Sequence, residues 1–129
     1  MKSFHKSALP EGVVARQLDA YNAKDLDAWL ATYSNNAVQC ELAGKLLATG
    51  HAEIRTRALL RFEEPDLHAK LLNRSVMGKV VIDHEVVTRN FPEGKGSVEL
   101  VCVYVVENGL IQSASFSFGE QVMQTVKSD

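Results

Sequence analysis

Between Gln17 and Glu41 the chain reads QLDAYNAKDLDAWLATYSNNAVQCE, two one-sided helical patterns broken at Asn22 to Asp25 and running straight into a strand-like stretch. Leu18 and Tyr21 carry the apolar side of the first pattern, and Leu26, Trp29, Leu30 and Tyr33 that of the second. The spacings of three and four are those of a helix with one buried face. Asp25 is the expected N-cap of the second helix, because its side-chain oxygen can accept a backbone N–H left free in the first turn. Asn35 and Asn36 are expected to supply the turn that ends that helix.

Pro10 stands where its missing N–H is harmless, so the first helix is read as Glu11 to Tyr21. Ala37 to Leu42 reads as a strand, Gly44 to Gly50 as a loop or short hairpin, and His51 to Phe62 as a third helix that buries Ile54, Ala58, Leu59 and Phe62. Pro65 ends it. The remainder is strand-rich: Leu67 to Val76, Val80 to Arg89, Gly96 to Val106 and Leu110 to Phe118. Turns fall at Met77 to Lys79, at Asn90 to Lys95 and at Asn108-Gly109, where both residues tolerate positive φ. Three helices and a meander of long strands predict an α+β domain over residues 1–129. In it a curved, mostly antiparallel sheet folds over the helices and encloses a pocket.

The totals narrow the function. Fourteen basic against sixteen acidic residues leave a formal charge of -2, which gives no electrostatic reason to expect nucleic acid or an anionic membrane as partner. No apolar run approaches the roughly 20 residues that span a bilayer, and MKSFHKSALPEG lacks the apolar core of a secretory signal, so a cytoplasmic protein is expected. Cys40 and Cys102 lie in apolar strand-like runs and read as small hydrophobes kept reduced. With no CxxC, HExxH or glycine-rich phosphate loop, and with His5, His51, His68 and His84 scattered, neither a metal nor an organic cofactor is expected.

Strand alternation puts Ile82, His84 and Val86 on one face of the sheet and Asp83, Glu85 and Val87 on the other. Glu99 travels with Val101, Val103 and Val105, and Ala114 with Phe116 and Phe118. One polar residue in an apolar stripe is the composition of a small-molecule pocket, which makes His84 and Glu99 candidates for its lining. Val98, Leu100, Cys102 and Tyr104 then form an outer apolar face that needs a cover, and a homodimer through the sheet is expected. Tyr104 belongs either to the pocket, as a donor to a ligand carbonyl, or to that interface. Arg74 and Glu85 are read as a cross-strand ion pair. Arg55, Arg57 and Arg61 are read as a solvated helix face supported by Glu53 four residues before Arg57.

The segment Gln17 to Glu41 resembles the opening of the nuclear transport factor two-like superfamily, which holds ketosteroid isomerases, SnoaL-like polyketide cyclases and limonene epoxide hydrolases. The likeness continues through LLATGHAEIR, PDLHAKLLNRSVMG, IDHEVVT and ENGLIQSASF, nearly the whole chain. It implies a cone-shaped, cystatin-like roll. DLHAKLLNR and DHEVV look most like a SnoaL-like subgroup related to the steroid isomerases. Carried over by position, the isomerase base falls on Glu41, while its two oxyanion donors fall on Gln17 and Val103. Losing one such donor typically costs ~3 kcal/mol of barrier, so steroid isomerase activity is disfavoured. The cyclases' histidine and acid correspond by role to His84 with Glu41 or Glu99. The hydrolases' Asp-Arg-Asp group has Arg74 available but no pair of inward aspartates.

The resulting expectation is a pocket for a small apolar carbonyl compound, with acid–base chemistry by Glu41 or His84. Gln17, Tyr21, His68, Arg74, Glu99, Val103, Tyr104, Phe116 and Phe118 are the candidate binding residues. A non-catalytic binding module and a dimeric interaction protein are the competing expectations.

Overall fold

The computed structural model describes residues 9–124; the leader segment with His5 lies outside them. Pro10 is the first residue of α1 (Pro10–Asn22), and Asp25 caps α2 (Leu26–Leu30) by accepting the Ala28 N–H at 3.1 Å. This second helix stops a turn earlier than its apolar spacing predicts. Tyr33 already belongs to β1 (Tyr33–Glu41), and Asn35 and Asn36 are exposed strand residues rather than a turn. Thr32 closes the helix end by donating its hydroxyl to the Trp29 carbonyl at 2.7 Å. The ladder to the last strand shifts register between Tyr33 and Val38, which absorbs the two asparagines.

β2 (Leu46–Thr49) leads directly into α3 (Gly50–Phe62), so two strands separate the second and third helices. Glu53 accepts the Thr49 N–H at 2.8 Å and satisfies a free donor at that helix start, instead of supporting Arg57. Ile54 and Ala58 are buried as expected, whereas Leu59 is exposed. The chain then runs as a meander of β3 (His68–Met77), β4 (Val80–Phe91), β5 (Gly94–Glu107) and β6 (Leu110–Met123). Asn108 and Gly109 take φ of 55° and 73°, the left-handed pair that a tight hairpin needs. The β4–β5 turn is tighter than expected: Phe91 pairs with Gly94 around Pro92 and Glu93.

The strands form one curled sheet in the order β2-β1-β6-β5-β4-β3, antiparallel except where β1 meets β6. This is the expected α+β roll. α1 packs over β3 to β6 and α3 over β1 and β2. Asn22 fastens the end of α1 to β3 by exchanging two hydrogen bonds with the Ala69 backbone, at 2.8 and 2.9 Å. Tyr21, Trp29, Tyr33 and Phe62 join in edge-on and tilted ring contacts of 4.9 to 5.7 Å, each worth about 1 kcal/mol beyond the area it buries.

Alternation groups the strand residues as the sequence reading does, but on β4 and β5 the faces are exchanged, whereas Ala114, Phe116 and Phe118 of β6 face inward as expected. Val81, Asp83, Glu85 and Val87 are buried on β4, as are Val98, Leu100, Cys102 and Tyr104 on β5, whereas Ile82 and Glu99 are exposed.

Candidate functional site

Where the helices close over the inner face of the sheet, they leave a cavity of about 90 Å³, room for more than one water-sized group. Its roof is Gln17, Leu18 and Tyr21 of α1, Trp29 of α2, and one side of α3 from Arg57 to Phe62. Its floor is Tyr33 and Gln39 of β1 together with inward residues of β4, β5 and β6. Most of these are apolar or aromatic, so the few polar groups decide what is bound and how it is oriented.

Among the described residues, Glu85 is the only carboxyl group in the lining. It is 4% exposed, and its Oε2 has no hydrogen-bond partner among the described residues. Burial is the largest influence on its pKa and, with the charge and hydrogen bonding of neighbouring Asp83, pushes the carboxyl up to about 7; Arg74 opposes the rise. Such a group exchanges a proton readily near neutral pH. Asp83, fully buried two residues away on the same face, gives both its oxygens to Arg74 of β3, at 2.7 and 2.9 Å. Arg74 therefore pairs with Asp83, not with Glu85. One arginine and two inward acids are thus brought together, with a glutamate as the second acid.

Two amide–tyrosine pairs face the same space. Tyr104 donates its hydroxyl to Gln17 Oε1 at 3.4 Å, and Gln39 Nε2 donates to the Tyr33 hydroxyl at 3.4 Å. Burial raises the pKa of both phenols and pushes that of Tyr21 up to about 12, so all three remain neutral donors. Arg57, read from sequence as solvated, is half-buried in the cavity wall. It donates to Gln39 Oε1 at 2.9 Å and lies 5.8 Å from the centre of the Phe116 ring.

Of the sequence candidates, Gln17, Tyr21, Tyr104, Phe116 and Phe118 line the cavity. Tyr104 is thereby assigned to the pocket. Glu41 does not line it: the residue ends β1, and its side chain packs over the Gly44 turn, where a Cβ would come within 2.9 Å. His84 and Glu99 pair with each other at 2.5 Å on the opposite face of the sheet, and Val103 shares that face. His68 is exposed at the start of β3 and Arg74 is engaged by Asp83, so neither reaches the cavity. The polar lining residues that the sequence reading misses are Glu85, Arg57, Arg61, Arg89, Tyr33 and Gln39. Among the described residues, no three His, Cys, Asp or Glu side chains gather as a metal site, and no helix is long and apolar enough to cross a membrane.

The SnoaL-like domain family matches residues 14–114, most of the chain and most of the cavity lining, with Phe116 and Phe118 just beyond the matched span. The chain belongs to that family. No curated protein matches the sequence. Among solved structures, this SnoaL-like domain is similar to an uncharacterized cystatin fold protein from Novosphingobium aromaticivorans, at 23% identity and a TM-score of 0.78, over 84% of this chain and 97% of that one. It is also similar to an NTF2-like protein from Cytophaga hutchinsonii, at 15% identity and TM-score 0.73, over 92% and 95% of the two chains. A third is an LEH-like epoxide hydrolase from M. tuberculosis, at 18% identity and TM-score 0.70, over 88% and 83%. At these identities the likeness is one of fold, and function has to be argued from the site.

Proposed function

We propose that the cavity is a cofactor-independent acid–base site for a small apolar carbonyl compound, with Glu85 in the role that sequence reading gave to Glu41 or His84. The observation that carries this reading is a buried carboxyl group in the cavity wall with an unpartnered oxygen and a pKa near 7. Ionised Glu85 takes a proton from the carbon next to the carbonyl, and the C–H electron pair passes into an enolate whose oxygen receives hydrogen bonds from a tyrosine hydroxyl. The protonated carboxyl then returns the proton to the same carbon or, where a β,γ double bond extends the enolate, to the γ carbon. Apolar walls keep water from competing for that proton and strengthen each hydrogen bond inside.

The test is deuterium exchange next to the carbonyl of cyclohexanone and 2-tetralone in heavy water, followed by NMR. The native protein is expected to accelerate exchange along a pH profile with an inflection near 7. Glu85→Gln should lower the rate by about a hundredfold or more, while Glu41→Gln and His84→Gln stay within about twofold of native, since neither lines the cavity. Exchange that survives in Glu85→Gln, or that disappears in Glu41→Gln, contradicts the reading. Bound ketone without exchange favours a binding module.

A further inference from the structure

The polar groups of the cavity are distributed unevenly. Three guanidinium groups, Arg57, Arg61 and Arg89, line it against the single carboxyl of Glu85. Glu64, which approaches Arg61 and Arg89 together, neutralises one charge between them. Arg57 meets no carboxylate among the described residues; its contacts are Gln39 and the Phe116 ring. A half-buried guanidinium without a counter-ion is a costly feature that an anionic ligand would relieve. The chain as a whole is slightly acidic, so this local excess of positive charge is not a consequence of composition.

The hydrogen-bond directions agree. Arg57 donates to Gln39 Oε1, which fixes the amide so that its Nε2 donates to the Tyr33 oxygen. Tyr33 must then turn its own proton elsewhere, and no described residue accepts it. The wall formed by these three residues therefore offers the cavity N–H and O–H donors backed by a positive charge. A planar carboxylate, with two oxygens and four lone-pair sites, is the acceptor such a wall fits, and a guanidinium can hold it with two parallel bonds. Glu85 stands on β4 with Asp83 and Arg74 as its charged neighbours, whereas Arg57 reaches Gln39 on β1, so the acid–base group and the anion-holding wall belong to different strands. The phenol of Tyr33 feels the charges of both Arg57 and Glu85.

We propose that the ligand is a small apolar acid, its carboxylate held by Arg57 and the Tyr33 hydroxyl while its hydrocarbon body lies against the aromatic walls. This deepens the acid–base reading and rests on the same cavity being the ligand site. It assigns Arg57 as the specificity-determining residue for charge.

The test is a set of matched pairs: benzoate against benzamide, and cyclohexanecarboxylate against cyclohexanecarboxamide. Binding is followed at pH 8 by calorimetry and by the fluorescence of Trp29, the one tryptophan of the chain, which lines the cavity. In the native protein each carboxylate should bind at least about tenfold tighter than its amide. Arg57→Gln should remove that preference, and Arg57→Lys, which keeps the charge but not the fork, should retain part of it. Glu85→Gln should keep the preference intact. Loss of ketone exchange in Glu85→Gln with the carboxylate preference preserved therefore separates the two proposals. A native protein that binds both members of each pair alike, or neither, overturns the inference, as does a preference that persists unchanged in folded Arg57→Gln and Arg57→Lys proteins.

Discussion

Two glutamates near the cavity show how one functional group is put to opposite uses. Glu64, in the turn after α3, accepts two hydrogen bonds from Arg89 and one from the Asn90 N–H, all at 2.8 Å, with Arg61 at 3.4 Å. Burial raises its pKa, but Arg89 and the Asn90 N–H, aided by the charge of Arg61, outweigh it and hold the carboxyl below the usual range. Glu85 lies deeper, has an unpartnered oxygen and faces another acid. The first is fixed as an ion and fastens α3 to β4. The second is left able to change its protonation state, which a structural acid has no use for and an acid–base site requires.

The two glutamates should differ most in how stability depends on pH. Glu85 holds its proton more tightly in the folded chain than in the unfolded one, so its favourable contribution is complete below pH ~4.5 and is lost as pH rises through about 7. Glu85→Gln lacks that loss. Between pH 4 and pH 8 its stability should rise relative to native by up to about 3 kcal/mol, read from urea unfolding at both pH values. A gap that stays constant with pH would mean that Glu85 is an ordinary ionised carboxylate.

Glu64 should behave in the reverse sense and with a smaller effect. Its depressed pKa stabilises the fold above the unfolded value and ceases to do so as pH falls through the folded one. Glu64→Gln is therefore expected to cost about 2 kcal/mol at pH 7 and less at pH 3, again by urea unfolding. An equal cost at both would remove the contrast.

The elements were legible in the sequence because their signals are local: Asp25 as a cap, Asn108-Gly109 as a hairpin, and period-two strands. The second helix was read too long because Tyr33 continues its spacing, yet the same ring packs on Trp29 equally well from the start of a strand. The site was less legible. Alternation says which residues share a face but not which face is covered. On β4 the usual clue points the wrong way, since Ile82 and Val86 travel with His84 while the buried face carries Asp83 and Glu85. The same reversal puts Tyr104 with an outer face, and Val103, which the isomerase resemblance marks as an oxyanion-donor position, lies one position out of the pocket. Arg57 was passed over because a helix rich in charge reads as solvated; only the closure of α3 over β1 brings it to Gln39 and Phe116.

If Glu85 is the proton-exchanging group of the cavity, its own titration shows it. The side-chain carboxyl carbon of Glu85, in protein labelled with carbon-13 at glutamate and assigned against Glu85→Gln, can be followed by NMR from pH 3 to pH 9. A midpoint near 7 that moves when benzoate or a ketone occupies the cavity is expected. A midpoint near the ordinary glutamate value of about 4.3, unmoved by either compound, would contradict it.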